Sequence, residues 1–460
     1  MKTHKEWSYA PYRPLFFEVG DIYICRVAPK ETTITFDWLP LEDNNKVVYS
    51  IYISDRNRND FRLVGTTENT TYVIKNLKED TEYEFYVEAG EKKSRVRLAR
   101  CGKSFGIVVN YVHPEDRCYG YAGYCPANPT IVRHPDGYLL ASMDLYGHEY
   151  PQNLSLIYRS DDDGETWTYV SELFPCYWGK LFIYERDVYM LAVSTEYGDL
   201  LIGKSSDGGK TFGEPTVLFR GSGGKNGEMG VHKCPQPVVE FNGRIWETLE
   251  WGSWGRGYHA AMVMSAPIGS DLLDADSWTF SEPVKYNPEW PGLPKGESPG
   301  NIEGNLLVMD GKLYNIMRYE MGKLERNYGL AMVYEVDTDN PEKPLAFSHC
   351  MEFPGNHAKF EIKFDPKTEK YYSLISRIWE PAAHWKRCLF SLACSEDCDR
   401  WEIVQNIMDM RDADPNKVGF QYTDFIIEDD KILFLCRTAM NGAENFHNSN
   451  YIIFDKIQLA

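Results

Sequence analysis

Residues 301–318 read NIEGNLLVMDGKLYNIMR. Two strand-forming runs flank Asp310-Gly311, a pair that favours a tight hairpin turn because both residues tolerate positive φ. A hairpin of this length brings Arg318 back to the end of the sheet where Glu303 starts. A turn-like pair followed by an apolar run recurs at Asp136-Gly137, Arg186-Asp187, Asn242-Gly243, Thr368-Glu369 and Asp429-Asp430, spaced 50 to 68 residues apart. Repetition on this scale predicts a radial array of small sheets, that is, a propeller.

Composition narrows the function classes. The 460 residues accommodate more than one domain, and 31 Tyr and 12 Trp suit both β structure and stacking against sugars. A net charge of −19 speaks against nucleic acid or an anionic membrane surface as partner. A local arginine cluster can still bind an acidic sugar. No run approaches the roughly 18 apolar residues of a membrane span. The start, MKTHKEW, lacks the apolar centre of a secretory signal. The expected compartment is therefore the cytoplasm, or the exterior if a signal has been removed. Eleven cysteines are scattered, and the closest pair, Cys394 and Cys398, has no companions to complete a zinc quartet. Free thiols are expected, with no metal and no cofactor. The sequence sets no oligomeric state.

Residues 1–104 read as a small antiparallel β-domain. Residues 33–38 and 49–53 alternate with period two, and residues 76–89 carry Tyr83 in an NLKEDTEYEFYVEA segment. This segment is similar to the tyrosine corner of fibronectin type III modules, in which a Trp such as Trp38 and a Tyr such as Tyr83 are core landmarks. From residue 105 onward the repeats take over. The final strand-like run, residues 450–457, has no partner after it. Residues 105–110 are expected to pair with it and close a six-bladed ring.

Within the repeats, residues 160–167 read SDDDGETW, 205–212 read SSDGGKTF and 395–401 read SEDCDRW. These resemble the Asp-box (BNR repeat) of sialidase-like propellers, a turn after the third strand in which Asp caps backbone amides and Gly takes positive φ. The expected fold is all-β: a six-bladed sialidase-like propeller over 105–460, carrying catalysis, behind a fibronectin type III-like sandwich.

Counting eight residues on from each hairpin turn gives Asp144, Glu250, Arg318 and Arg437 at second-strand ends, and Arg377 or Ser376 in the fifth repeat. Counting seven back gives Glu303 and Tyr422 at first-strand starts. In a propeller these ends converge on one face. The pattern resembles sialidases, where a Glu opens a strand and an Arg follows after an Asp-Gly turn, as Glu303 and Arg318 do. A later Arg is matched by Arg387, and the family's nucleophilic Tyr by Tyr422. The resemblance implies that Tyr422 attacks while Glu303 takes its proton, since a neutral phenol is a poor nucleophile. Arg318 and Arg387 would then hold a carboxylate. The sequence departs from the family in two places. Ala127 stands where the first arginine of the family's triad belongs, and the loop from Asp144 to Tyr150 offers Asp144, His148 or Glu149 as the acid without choosing among them. Arg437 stands where the family often has an acid, so it is expected to pair with an acid rather than to bind substrate, though it is kept among the candidate substrate contacts. His232 opens the third repeat and is a further candidate contact.

The leading expectation is a retaining exo-glycosidase removing a terminal acidic sugar from an oligosaccharide or glycoconjugate. The alternatives are a polysaccharide lyase, with Tyr422 and His148 or His232 acting on a uronic acid, and a carbohydrate-binding propeller without catalysis.

Overall fold

The computed structural model describes residues 6–12, 21–41, 46–116, 119, 122–222 and 228–459. The first five positions, on which the absence of a signal was partly read, lie outside the described residues. The described chain is almost entirely strand, with three short 3-10 turns, and no helix in it is long and apolar enough to cross a membrane.

Six antiparallel sheets follow one another in sequence. The first blade comprises Cys125–Arg133, Leu139–Tyr146, Ser155–Ser160 and Thr168–Leu173; the second runs from Tyr177–Tyr184 to Thr216–Phe219. In the third, Gly230–His232 and Val239–Phe241 both pair with Arg244–Ser253. The fourth starts with the hairpin of Gly300–Met309 and Lys312–Glu320. Asp310 and Gly311 stand at φ 47° and 72°, the positive values a two-residue hairpin turn requires. The fifth runs from Ile362–Asp365 to Glu402–Asp409. The sixth holds Gly419–Glu428, Lys431–Ala439 and Tyr451–Gln458, completed by Ile107–Tyr111 in antiparallel register, Ile107 opposite Phe454. The ring is thus closed by a strand from the other end of the propeller, which supplies the outer strand of the sixth blade.

The sandwich pairs Ile24–Lys30, Thr33–Trp38 and Thr71–Ile74 in one sheet, and Arg62–Thr67, Tyr49–Asp55 and Glu82–Ala89 in the other, the last with Lys92–Lys93 and Arg97–Arg100 at its edge. Trp38 and Phe36 are buried between the sheets, and the Tyr83 hydroxyl accepts from Lys78 N at 3.0 Å. One apolar cluster runs from Ile24 and Phe85 through Phe105 to Phe390 and Phe434 of blades five and six. Area removed from water, at about 25 cal/mol per Å², therefore joins sandwich to ring more strongly than the exposed Arg100–Asp412 pair at 3.0 Å. The expected extent of the first domain, 1–104, needs correction at its start. Ser8–Tyr9 form the outer edge of blade one, Ser8 opposite Leu173, and Trp7 is buried among Leu140, Leu181 and Phe212 of blades one and two.

The three SxD segments are turns after third strands. Asp162 Oδ1 accepts from Thr166 N at 2.8 Å and Asp207 Oδ1 from Thr211 N at 2.8 Å. In the third copy Asp397 Oδ1 accepts from Arg400 N at 2.9 Å. That copy is one residue shorter, and Cys398, at φ 63°, replaces the glycine. Antiparallel pairing puts all three turns at the end of the ring away from the first-strand starts.

Candidate active site

Four blades share an irregularity at the start of their first strand. Asn128, Trp178, Glu303 and Tyr422 all have positive φ, 48°, 49°, 57° and 53°, and each sits where the pairing to the second strand slips by a bulge. A bulge re-aims a side chain that regular alternation would send into the sheet. Left-handed backbone in non-glycine residues costs of order 1–3 kcal/mol each, and such strain persists only where neighbours enforce it. Buried carboxylates do so at three of the four, from the same blade at Asn128 and from the preceding blade at Trp178 and beside Glu303. Asp144 Oδ2 accepts from Trp178 N at 2.8 Å and from Asn128 Nδ2 at 3.0 Å, while Glu250 Oε1 accepts from Gly304 N at 3.1 Å. Gly304 is needed after Glu303 because a Cβ there would lie 2.3 Å from Asn315 Oδ1 and 2.5 Å from Thr248 Oγ1.

The four re-aimed side chains line a cavity of about 1000 Å³ on the axis. At its floor Arg318 Nη1 donates to Glu303 Oε2 at 2.8 Å and to the Tyr422 hydroxyl at 3.2 Å, so the guanidinium bridges the two. Arg318 also pairs with Glu320. Cys234 Sγ lies 3.2 Å from Glu303 Oε1. Two further guanidinium carbons lie over the Tyr422 ring, Arg437 at 5.1 Å and Arg387 at 5.7 Å from its centroid. Arg387 reaches Gln421 and the His357 carbonyl, and Arg437 the His447 carbonyl at 2.5 Å. Neither has a carboxylate within ion-pair distance among the described residues, and the Nε of each is buried without a hydrogen-bond partner. By contrast, Lys180, one layer deeper, is ion-paired, its Nζ 2.7 Å from Asp424 Oδ2.

The charges tune one another. Burial pushes the Tyr422 phenol up to about 12, helped by the Glu303 charge and opposed by Arg318 and Arg387, so it is protonated at neutral pH. Burial works to raise the Glu303 carboxyl, but the charge and hydrogen bond of Arg318, with His232 and Cys234 behind them, hold it below the ordinary carboxylate value. It stands ionised and able to accept a proton. Burial and repulsion from Arg318 and Arg437 bring Arg387 down to about 10, although Tyr422 and Glu303 partly offset them. An anion placed there would relieve that repulsion.

Of the residues singled out from sequence, Tyr422, Glu303, Arg318, Arg387, Arg437, His232 and His148 all line the cavity. His148 is exposed on the rim, with its ring against the Tyr146 hydroxyl. Three expectations are corrected. Asp144 is buried beneath the cavity as a brace for Asn128 and Trp178, unable to reach a substrate. Glu250 is buried behind His232, its Oε2 2.5 Å from Nδ1. Arg377 points to Asn406 in the outer strand of blade five, because the hairpin closes Asp365 on Lys370 and leaves Ser376 facing inward. The acid pair expected for Arg437 is also corrected: among the described residues no carboxylate pairs with it, and its side chain lines the cavity. Counting from turns missed Asn128 and Trp178 because the bulge is invisible to it, Tyr146 because it lies two residues beyond the counted strand position, and Trp254 and His447 because a 3-10 turn and a loop deliver them. At all four bulges a polar or aromatic residue stands two positions before a buried polar one, as in Asn128–Thr130, Trp178–Lys180, Glu303–Asn305 and Tyr422–Asp424.

Comparison with known proteins places these observations. The fibronectin type III domain family matches residues 24–97. No curated protein sequence matches the chain. Among solved structures, the leech intramolecular trans-sialidase complexed with 2,7-anhydro-Neu5Ac aligns over 98% of this chain and 96% of its own, at 10% identity and TM-score 0.52. The GH93 α-L-arabinofuranosidase of Fusarium graminearum with arabinobiose covers 77% of this chain and 98% of its own, at 13% and 0.51. The α-L-arabinanase of Penicillium chrysogenum with arabinobiose covers 77% and 97%, at 14% and 0.50. At such identities the likeness is one of fold. The chain is a six-bladed β-propeller of sialidase-like architecture preceded by a fibronectin type III module.

Proposed function

We propose that the propeller, from about residue 105 to 460, is a retaining exo-glycosidase for a terminal sugar bearing a carboxylate, with the module before it as a support. The observation that carries this reading is the floor of the cavity: a protonated Tyr422 and an ionised Glu303 joined through Arg318, under two guanidiniums without acidic partners. A substrate carboxylate entering between Arg387 and Arg437 would also compete for Arg318. Drawing Arg318 off its bridge lets the phenol meet the Glu303 carboxylate directly. Tyr422 oxygen then bonds to the anomeric carbon as its proton passes to Glu303. Hydrogen bonds to charged donors are worth roughly 1.5–3 kcal/mol each, enough to make the acidic group a strong selector. The neighbours that bind arabinobiose keep a neutral furanoside among the substrates to test.

The experiment is a panel of aryl glycosides of sialic acid, hexuronic acids and α-L-arabinofuranose, with product configuration followed by NMR. Hydrolysis of a carboxylate-bearing glycoside with retention is expected. Turnover confined to arabinofuranosides would overturn the acidic sugar. An unsaturated uronate product would replace the hydrolase with a lyase, and binding without turnover would leave a lectin.

A further inference from the structure

In the loop from Asp144 to Tyr150 the one buried acid, Asp144, is a brace, and the other two candidates for the proton donor, His148 and Glu149, stand exposed on the cavity rim. We infer that His232, backed by Glu250, is the catalytic acid and base of this site; the inference rests on the glycosidase reading above. His232 is 2% exposed yet lines the cavity. Glu250 Oε2 lies 2.5 Å from its Nδ1, so a proton on Nδ1 is held there and Nε2 is the nitrogen left to exchange protons with a ligand. Glu250 is itself fixed, because its other oxygen accepts from Gly304 N, the amide freed by the Glu303 bulge. The ring is gripped between Trp178 at 4.3 Å and His259 at 4.6 Å between centroids. Burial, with His232 beside it, holds the His259 imidazole well below its ordinary value, so His259 is neutral. A fixed carboxylate on one nitrogen both orients an imidazole and stabilises its cationic form.

Topology supplies the second argument. The blades follow one another around the ring, so the third, carrying His232, stands across the axis from the sixth, carrying Tyr422. A retaining glycosidase needs its nucleophile and its acid on opposite faces of the sugar. Five acids line the cavity. Glu303 is assigned above, Glu320 is paired with Arg318, and Glu149, Glu196 and Glu444 stand on loops, Glu444 already accepting from Asn448 Nδ2 at 2.8 Å.

The step balances. As Tyr422 oxygen bonds to the anomeric carbon, the bond to the leaving oxygen breaks and its electron pair takes the proton from His232 Nε2, while the phenol proton rests on Glu303. In the second step water bonds to the anomeric carbon and gives a proton to Nε2. The tyrosyl oxygen departs and recovers its proton from Glu303.

The test compares leaving groups. A dinitrophenolate departs without protonation, whereas methanol needs it. H232Q should lose about a hundredfold or more on the methyl glycoside of whichever sugar the wild type hydrolyses, and far less on the dinitrophenyl glycoside in the glycosylation step. Added azide should restore turnover of the latter and give a glycosyl azide. E250Q should show the same pattern more weakly, and it carries the test if H232Q does not fold. Equal losses on both substrates, with no azide product, would overturn the inference and leave His232 a packing residue. Wild-type protein inactive on every glycoside would fall on the hydrolase reading itself and take this inference with it. Y422F separates the two roles, since its loss should not depend on the leaving group.

Discussion

At the hairpin end of the propeller, Asp162, Asp207 and Asp397 each accept hydrogen bonds from their own turn, and Trp167 and Trp401 close the motif with Nε1 on the Gly164 and Cys398 carbonyls. At the cavity end, Arg318, Arg387 and Arg437 each keep a buried Nε without a partner, and four first strands begin with a bulge in their pairing. One end is repeated and satisfied; the other is irregular and unsatisfied. Structural positions in a stable fold settle their polar groups locally, whereas a binding site keeps groups ready for a ligand. The difference therefore separates what maintains the ring from what the ring is for, and it is open to direct attack.

The largest effects are expected at Tyr422 and Glu303. Y422F and E303Q should each lower kcat/KM by about a thousandfold or more with little change in Tm, and the double variant should be hardly worse than either. Additive losses of about tenfold would reduce both to ordinary sugar contacts. Next comes R387M. Removing a buried guanidinium without an acidic partner should raise Tm, while KM for a carboxylate-bearing substrate rises roughly 10–100-fold. A fall in Tm would show that Arg387 belongs to the satisfied part of the molecule. At the other end, D207A should cost about 1 kcal/mol in denaturant unfolding and leave turnover per folded molecule intact.

A further effect, on stability alone, is a pH dependence. Burial raises the Asp144 carboxyl to about 7 from 3.8, against the hydrogen bonds from Ser155, Asn128 and Trp178. Between those values the native state binds more protons than the unfolded chain, so this group's contribution to stability falls as pH rises through that window. Unfolding curves at several pH values should show D144N lacking that part of the slope.

Much of this was legible in the sequence. The Asp-Gly hairpins fixed the repeat, and the offset from turn to strand end found Glu303, Arg318 and Tyr422, because register is counted reliably across a two-residue turn. The offset failed where local geometry intervenes. The longer turn before Lys370 sent Arg377 to the outside. At Asp144 and Glu250 it found the correct end of the strand but not the layer, since both acids are spent on the backbone of the next blade. The pairing of His232 with Glu250 spans two strands and an irregular entry into blade three, which no spacing rule encodes. The edge strand Ser8–Tyr9 was hidden because it is short and far in sequence from Leu173.

The central claim is that Tyr422 is the nucleophile. It is tested most directly by trapping the enzyme with a fluorinated glycosyl fluoride of the sugar it hydrolyses and mapping the adduct by mass spectrometry. One glycosyl unit on the Tyr422 hydroxyl is the result expected. An adduct on Glu303, or an inverted product with no adduct at all, would contradict the account.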